Sequence, residues 1–146
     1  WAALMESWRR IYRLMRLSPS DRCCFPFSFG PFLGFWAGFE AAVAQGRFCI
    51  AAGGLSSEAR LQLIATHGIT ALGCTPTYAL RLAEVARQLG LNLHELGVRT
   101  ILVAGEPGGN IPETRALIES AWNARVIELR RRVSVEGRRE SAISAR

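Results

Sequence analysis

Apolar positions recur in two rhythms along the chain. In residues 1–17, Leu4, Trp8, Ile11 and Met15 form a stripe at helical spacing while Arg9, Arg10, Arg13 and Arg16 face away, which predicts an amphipathic helix. Ser18-Pro19-Ser20-Asp21 reads as a loop. Beyond it, short runs that are apolar on both faces alternate with helical stretches. The strand-like runs are Cys23–Phe27, Phe48–Ala51, Thr70–Cys74, Thr100–Ala104 and Arg125–Ile127, with helices predicted near 31–45, 56–67, 76–89 and 112–123. Two-sided apolar strands joined by helices indicate a parallel sheet with right-handed crossovers. The expected fold is therefore α/β: a mostly parallel sheet of about five strands with helices on both faces.

Local chemistry marks the helix ends. Thr75 is placed to cap a helix with Pro76 at its first position, and Gly90 to end it in the left-handed conformation. The apolar face of that helix reads Tyr78, Leu82, Val85, Leu89. Asn110 and Glu113 have capping-box spacing, with Pro112 early in the helix. Between Arg22 and Arg47 the only charge is Glu40, and Gly30, Gly34 and Gly38 form two overlapping G-x-x-x-G motifs, the pattern of close helix approach in lipid. Pro26 and Pro31 interrupt the run. The helix left after them, about 15 residues or roughly 22 Å, falls short of the roughly 30 Å hydrocarbon core. A buried helix packed closely on the sheet explains the glycines better.

Composition narrows the chemistry. The chain has 146 residues, about one domain. Its 18 basic residues are all Arg. The lack of Lys removes a Walker-type phosphate loop and every Lys-nucleophile mechanism. Asp21 is the only Asp, and His67 and His94 lie 27 residues apart on different elements, which leaves poor material for a Ser-His-Asp triad or a two-His metal site. The net charge of +6 is concentrated at one end: residues 125–146 carry seven Arg against three Glu. No aromatic residue interleaves those arginines for base stacking, so a solvated segment is expected there and not a nucleic-acid or membrane surface. Cys23, Cys24, Cys49 and Cys74 form no C-x-x-C pair, and Cys23, Cys49 and Cys74 sit inside apolar strand-like runs. They read as reduced thiols of a cytoplasmic protein, for which no signal peptide is expected.

In an open α/β sheet, ligands bind beyond the carboxyl ends of the strands. Those positions hold 28–34 (Ser-Phe-Gly-Pro-Phe-Leu-Gly), 53–57 (Gly-Gly-Leu-Ser-Ser), 75–78 (Thr-Pro-Thr-Tyr) and 104–109 (Ala-Gly-Glu-Pro-Gly-Gly). Small residues there let a ligand approach the backbone, and Phe27, Phe29 and Phe32 offer an apolar wall. The residues alone reach a ligand edge for something flat or anionic. No G-x-G-x-x-G supports a dinucleotide fingerprint.

Four segments carry a resemblance. They are 25–34 (FPFSFGPFLG), 53–58 (GGLSSE), 74–80 (CTPTYAL) and 103–109 (VAGEPGG). In that order and spacing they resemble the phenylacetate–coenzyme A ligase family of acyl-adenylate-forming, AMP-binding ligases. The resemblance covers roughly residues 1–126 and implies an incomplete, internal portion of that family's large amino-terminal domain. It implies an aryl acid such as phenylacetate attacking ATP to give an acyl-adenylate, coenzyme A then displacing AMP. Mg²⁺, ATP and CoA are implied for the full-length enzyme, with a homodimer and a role in aromatic acid catabolism. It places Gly105, Glu106, Pro107 and Gly108 at the nucleotide. It places Phe27, Phe29, Gly30, Phe32, Gly34, Thr75, Pro76 and Tyr78 around the acyl group.

The chain also departs from the family. A Ser/Thr/Gly-rich phosphate loop belongs before residue 1, and a catalytic Lys on a small domain after the last residue. An aromatic-Gly-x-Thr-Glu motif should follow the strand at 125–127, where residues 128–140 read ELRRRVSVEGRRE. Residues 127–146 are therefore expected to be an Arg-rich tail of unrelated or disordered sequence, as a shifted reading frame would produce. Catalytic and metal residues are expected outside this chain, which on its own should be inactive. The alternatives are a non-catalytic nucleotide- or acyl-binding module, or part of an adenylating synthetase without the thioester step.

Overall fold

The computed structural model describes residues 1–28, 33–133 and 139–144. In chain order the elements are α1 (Ala2–Leu14), β1 (Arg22–Phe25), α2 (Leu33–Ala44), β2 (Phe48–Ala51), α3 (Ser57–Thr66), β3 (Ala71–Cys74), α4 (Pro76–Gln88), a 3₁₀ turn (Leu93–Glu95), β4 (Thr100–Val103), α5 (Pro112–Trp122), β5 (Arg125–Val133) and β6 (Arg139–Ser144). The sheet order is β2-β1-β3-β4-β5-β6. Strands β1 to β5 are parallel, as their two-sided apolar faces require, and β6 runs antiparallel to β5 from Glu128↔Ser144 to Val133↔Arg139.

Described parts of the segment read as a tail are strands. Residues 127–133 and 139–144 form ladders, and β5 is nine residues long instead of three. Apolar patterning could not reveal this, because a ladder is held by backbone hydrogen bonds that do not depend on apolar side chains.

Reversal of direction after β2 places α1 and α2 on one face and α3, α4 and α5 on the other, the distribution that crossovers of one hand demand. The larger core joins Cys24, Leu72, Cys74, Ile101, Val103 and Val126 of the sheet to Leu61 and Ile64 of α3, Leu82 and Val85 of α4, and Ile118 and Trp122 of α5. The Trp122 indole N–H donates to the Ala79 carbonyl at 3.0 Å, fixing α5 against α4. On the other face Trp8, Ile11, Tyr12 and Met15 pack with Ala37, Ala41, Ala42, Leu102 and Ile127.

Several local expectations need adjustment. Tyr12 joins the buried stripe of α1, while Leu4 is only partly covered. Gly38 does pack closely, but against a helix and not the sheet: a Cβ there would lie 2.9 Å from the Trp8 ring of α1. Gly34 has nothing within 4 Å, and Gly30 lies outside the described residues. Leu89 is 52% exposed, and Ala79 and Ala86 take its place on the buried face of α4. Residue Ile111, not Asn110, is the amino-terminal cap of α5 and offers no side-chain hydrogen bond. Asn110 lies inside a turn closed by Ile111 N–H donating to Gly108 O. No helix among the described residues is long and apolar enough to cross a membrane.

The amino-terminal edge of the sheet is pinned by Asp21. Its carboxylate, 2% exposed, accepts from Thr70 Oγ1 (2.6 Å), Ser18 N–H (2.6 Å) and Arg99. Thr70 Oγ1 in turn accepts from the Arg22 N–H at 3.0 Å. One buried carboxylate thus ties together the starts of β1, β3 and β4.

Candidate functional site

The described residues that follow β1, β2, β3 and β4 lie at one edge of the sheet. The connection after β1 leads to β2 on one side, and that after β3 leads to β4 on the other, so the loops part between β1 and β3. Such a reversal point opens a crevice at the carboxyl edge. Described residues of the segments singled out by sequence meet there.

After β1, Phe27 packs on Phe35 with ring centroids 4.1 Å apart and edge-on to Phe25 at 6.0 Å. Its carbonyl lies 3.1 Å from where a Cβ of Gly53 would be, so the loop after β2 presses on this segment with bare backbone. After β3, Thr75 caps α4: its Oγ1 accepts from the Tyr78 N–H at 3.2 Å, with Pro76 buried in the first turn. After β4, Gly105 adopts φ +94° and Gly108 φ +149°, conformations that favour glycine. A Cβ on Gly105 would sit 3.5 Å from Thr75 and 3.8 Å from Phe35. Gly108 lies over Pro76. Phe27, Thr75, Pro76, Gly105 and Gly108 therefore belong to one packed patch, in which Pro76 and Gly108 are buried. Gly34, in the first turn of α2, is solvent-facing, and Pro107 is exposed. Phe29, Gly30 and Phe32 lie outside the described residues.

Glu106 and Tyr78 are held by the protein itself. Glu106 Oε1 accepts from the Thr77 N–H at 2.7 Å, which sets a carboxylate at the amino terminus of α4, where the helix dipole favours it. The Tyr78 hydroxyl lies 3.0 Å from Ser57 Oγ and accepts from Arg60 Nη1 at 2.8 Å. Arg60 also donates through Nε to Ala52 O at 2.8 Å and lies 5.1 Å from the Tyr78 ring centroid. Arg60 escaped the sequence reading, and Ser57 entered it only as part of the segment after β2. They lie 18 and 21 positions from Tyr78, and no local spacing signals a contact made by packing α3 on α4.

The remaining Asp and His side chains are engaged away from this patch. Asp21 is committed at the opposite edge. His94 Nε2 is 2.9 Å from Ser120 O, and His67 stacks against Phe48. Among the described residues no group of three or more His, Cys, Asp or Glu could hold a metal. Two cavities lie away from the carboxyl edge. One, of about 10 Å³ and lined by residues such as Tyr12, Cys23 and Leu102, has room for about one water. The other, of about 220 Å³, opens at the amino-terminal edge among Met15, Arg16, Leu17, Arg99, Thr100 and Arg125. Neither adjoins the glycine-lined surface.

No protein-family model matches the chain, and no curated protein sequence matches it. Solved structures do. One is 2-hydroxyisobutyryl-CoA ligase, in an open conformation with 2-HIB-AMP and CoA: TM-score 0.81, 30% identity, 87% of this chain and 28% of that one. Malonyl-CoA ligase, in a ternary product complex with methylmalonyl-CoA and AMP, gives 0.66, 22%, 87% and 27%. The amide bond synthetase McbA from Marinactinospora thermotolerans gives 0.67, 18%, 87% and 24%. At their lower identity, the last two speak for the fold alone. These neighbours are acyl-CoA and adenylate-forming ligases, and the sheet described above matches part of an adenylate-forming ligase domain. The chain spans 28% of the length of the 2-hydroxyisobutyryl-CoA ligase.

Proposed function

We propose that residues 1–126 are a portion of the acid-activating domain of an ATP-dependent acyl-CoA ligase that acts on an aryl acid such as phenylacetate. The observation that carries this reading is the likeness to 2-hydroxyisobutyryl-CoA ligase at 30% identity across 87% of the chain, joined to four glycine- and aromatic-bearing segments that meet at one sheet edge. In the reaction, the acid's carboxylate attacks the α-phosphate of ATP and pyrophosphate leaves. The thiol of coenzyme A then attacks the acyl carbon, and AMP departs. Residues Gly105 to Gly108 flank the adenine in this reading, with Gly105 and Pro107 the exposed positions of the segment. Phe27, with Phe29 and Phe32, walls the acyl group; Gly34, Thr75, Pro76 and Tyr78 complete the pocket. An aryl acid suits this site because aromatic rings pack favourably against one another.

The family implies Mg²⁺, but the described residues offer no cluster of donors for it, and no step is assigned to it here. Residues 127–146 belong, in this reading, to sequence foreign to the ligase domain. The partners are the small molecules alone, in the cytoplasm, with neither nucleic acid nor membrane engaged, and the full-length protein pairs as a homodimer.

The 146 residues contain no Lys and no phosphate-cradling loop. Stabilising charge on the departing pyrophosphate is the largest catalytic demand, and one missing donor costs roughly 10²–10³ in rate. The chain alone is therefore expected to bind without turning over. The test is NMR of labelled chain titrated with a non-hydrolysable phenylacetyl-adenylate analogue, beside ATP–pyrophosphate exchange with phenylacetate and Mg²⁺. Shifts at Gly105, Gly108 and Tyr78 with no exchange are expected. No shift at those residues refutes the site, and exchange above a no-protein control refutes the assignment of catalysis elsewhere.

A further inference from the structure

Cys23 on β1 and Cys49 on β2 are direct register partners. Adjacent strands run about 4.8 Å apart, inside the roughly 4.4–6.8 Å range of Cα separations that a disulfide spans. Both side chains point to the α1/α2 face, where Cys49 packs against the cluster that holds Cys23. Cys24 and Cys74 belong to the core on the other face. Cys23 is 3% exposed, whereas Cys49 is half-buried on β2, an outer strand of the described sheet.

We infer that Cys23 and Cys49 are a peroxide-oxidisable dithiol, a modification site that closes reversibly into a cross-strand disulfide. The two thiols hydrogen-bond each other, and Cys49 Sγ also lies 3.6 Å from the Arg47 carbonyl. The bond from Cys23 lowers the Cys49 thiol below its ordinary value against the opposing effect of burial, and the Arg47 guanidinium lowers it further. Cys23 is raised, first by that same bond and then by burial. Cys24 and Cys74 are each pushed up to about 12, chiefly by burial. The more accessible member of the pair is thus the one that ionises more readily, and the thiolate is the species that reacts.

Cys49 thiolate attacks one oxygen of hydrogen peroxide; the O–O bond breaks, and the departing hydroxide takes a proton to become water. The product is a sulfenic acid. Cys23 sulfur then attacks the Cys49 sulfur, giving up its proton, and the expelled hydroxide takes that proton to leave as a second water. Two thiols are oxidised and one peroxide is reduced.

The experiment treats the folded chain with hydrogen peroxide and counts free thiols after denaturation. Trypsin cuts after Arg22, Arg47 and Arg60, so the expected product is peptide 23–47 joined to peptide 48–60. Free thiols should fall from four to two and return with dithiothreitol. The linkage should persist in Cys24→Ser and vanish in Cys49→Ser. Parent chain that gains oxygen without linkage, or that links through Cys24 or Cys74, overturns the inference. So does formation of the same link in equal yield after unfolding in urea, because the strand register would then not be what selects it.

Discussion

Replacing Asp21 with Ala removes the carboxylate that joins the starts of three strands. Its loss strands Thr70 Oγ1 and the Ser18 N–H, each 2.6 Å from it; Arg99, with its side chain 65% exposed, rehydrates at little cost. A hydrogen bond to a charged group contributes about 1.5–3 kcal/mol. Because Ser18 is half-buried and regains some water, the expected total is about 2–4 kcal/mol. For a domain of this length the unfolding entropy is about 0.3 kcal/mol per degree, so the midpoint should fall by about 7–13 °C.

The pH dependence gives an independent check. Burial pushes the Asp21 carboxyl up, but the hydrogen bonds from Thr70 and Ser18 and the charge of Arg99 outweigh it and leave it below the ordinary carboxylate value. A depressed native pKa stabilises the fold fully above the unfolded value, about 4, and that contribution is lost as pH falls through the lower native one. Asp21→Asn keeps an acceptor for Thr70 but has no charge to lose. Its stability gap from the parent should therefore be constant from pH 7 to about 5 and should close below about 4. Thermal melts by circular dichroism across that range measure both effects. An Asp21→Ala cost under about 0.5 kcal/mol, the size of an ordinary surface change, refutes the reasoning, as does an Asp21→Asn gap that stays open in acid.

Two further substitutions probe packing. A Cβ at Gly109 would lie 2.5 Å from Val103 and 3.1 Å from Glu128, so Gly109→Ala should cost about 1–3 kcal/mol in a chemical melt and shift the amide signals of Gly105 and Gly108. Trp122→Phe removes the donor to Ala79 O from a fully buried ring and should cost about 2–3 kcal/mol by denaturant titration.

The strands from β1 to β4 and the start of β5 were legible because each is apolar on both faces, and Thr75-Pro76 and Gly90 announced both ends of α4. The carboxyl-edge surface was legible for the same reason: in a parallel sheet every strand's exit is on one side, so placing Thr75 and Gly105 needed only correct strands. Contacts between helices were not. Gly38 accommodates Trp8, 30 positions away, and Arg60 reaches Tyr78 across two helices; neither follows from periodicity. The β5–β6 ladder was hidden because its strand-forming tendency lies in backbone pairing under an arginine-rich composition.

The middle of the sheet contains a line of weakness. Strands β1 and β2 share four register pairs, as do β3 and β4, and β4 and β5, but β1 and β3 share two. They are also the neighbours between which an intervening strand must leave and return. In native-state hydrogen exchange, the amides that bridge β1 and β3 should exchange at lower free energy than those that bridge β3 and β4. Asp21 clasps one end of the seam and the crevice occupies the other. Opening of this seam and loosening of the carboxyl edge beyond it are then one motion, and a ligand bridging Phe27 and Gly105 would slow it.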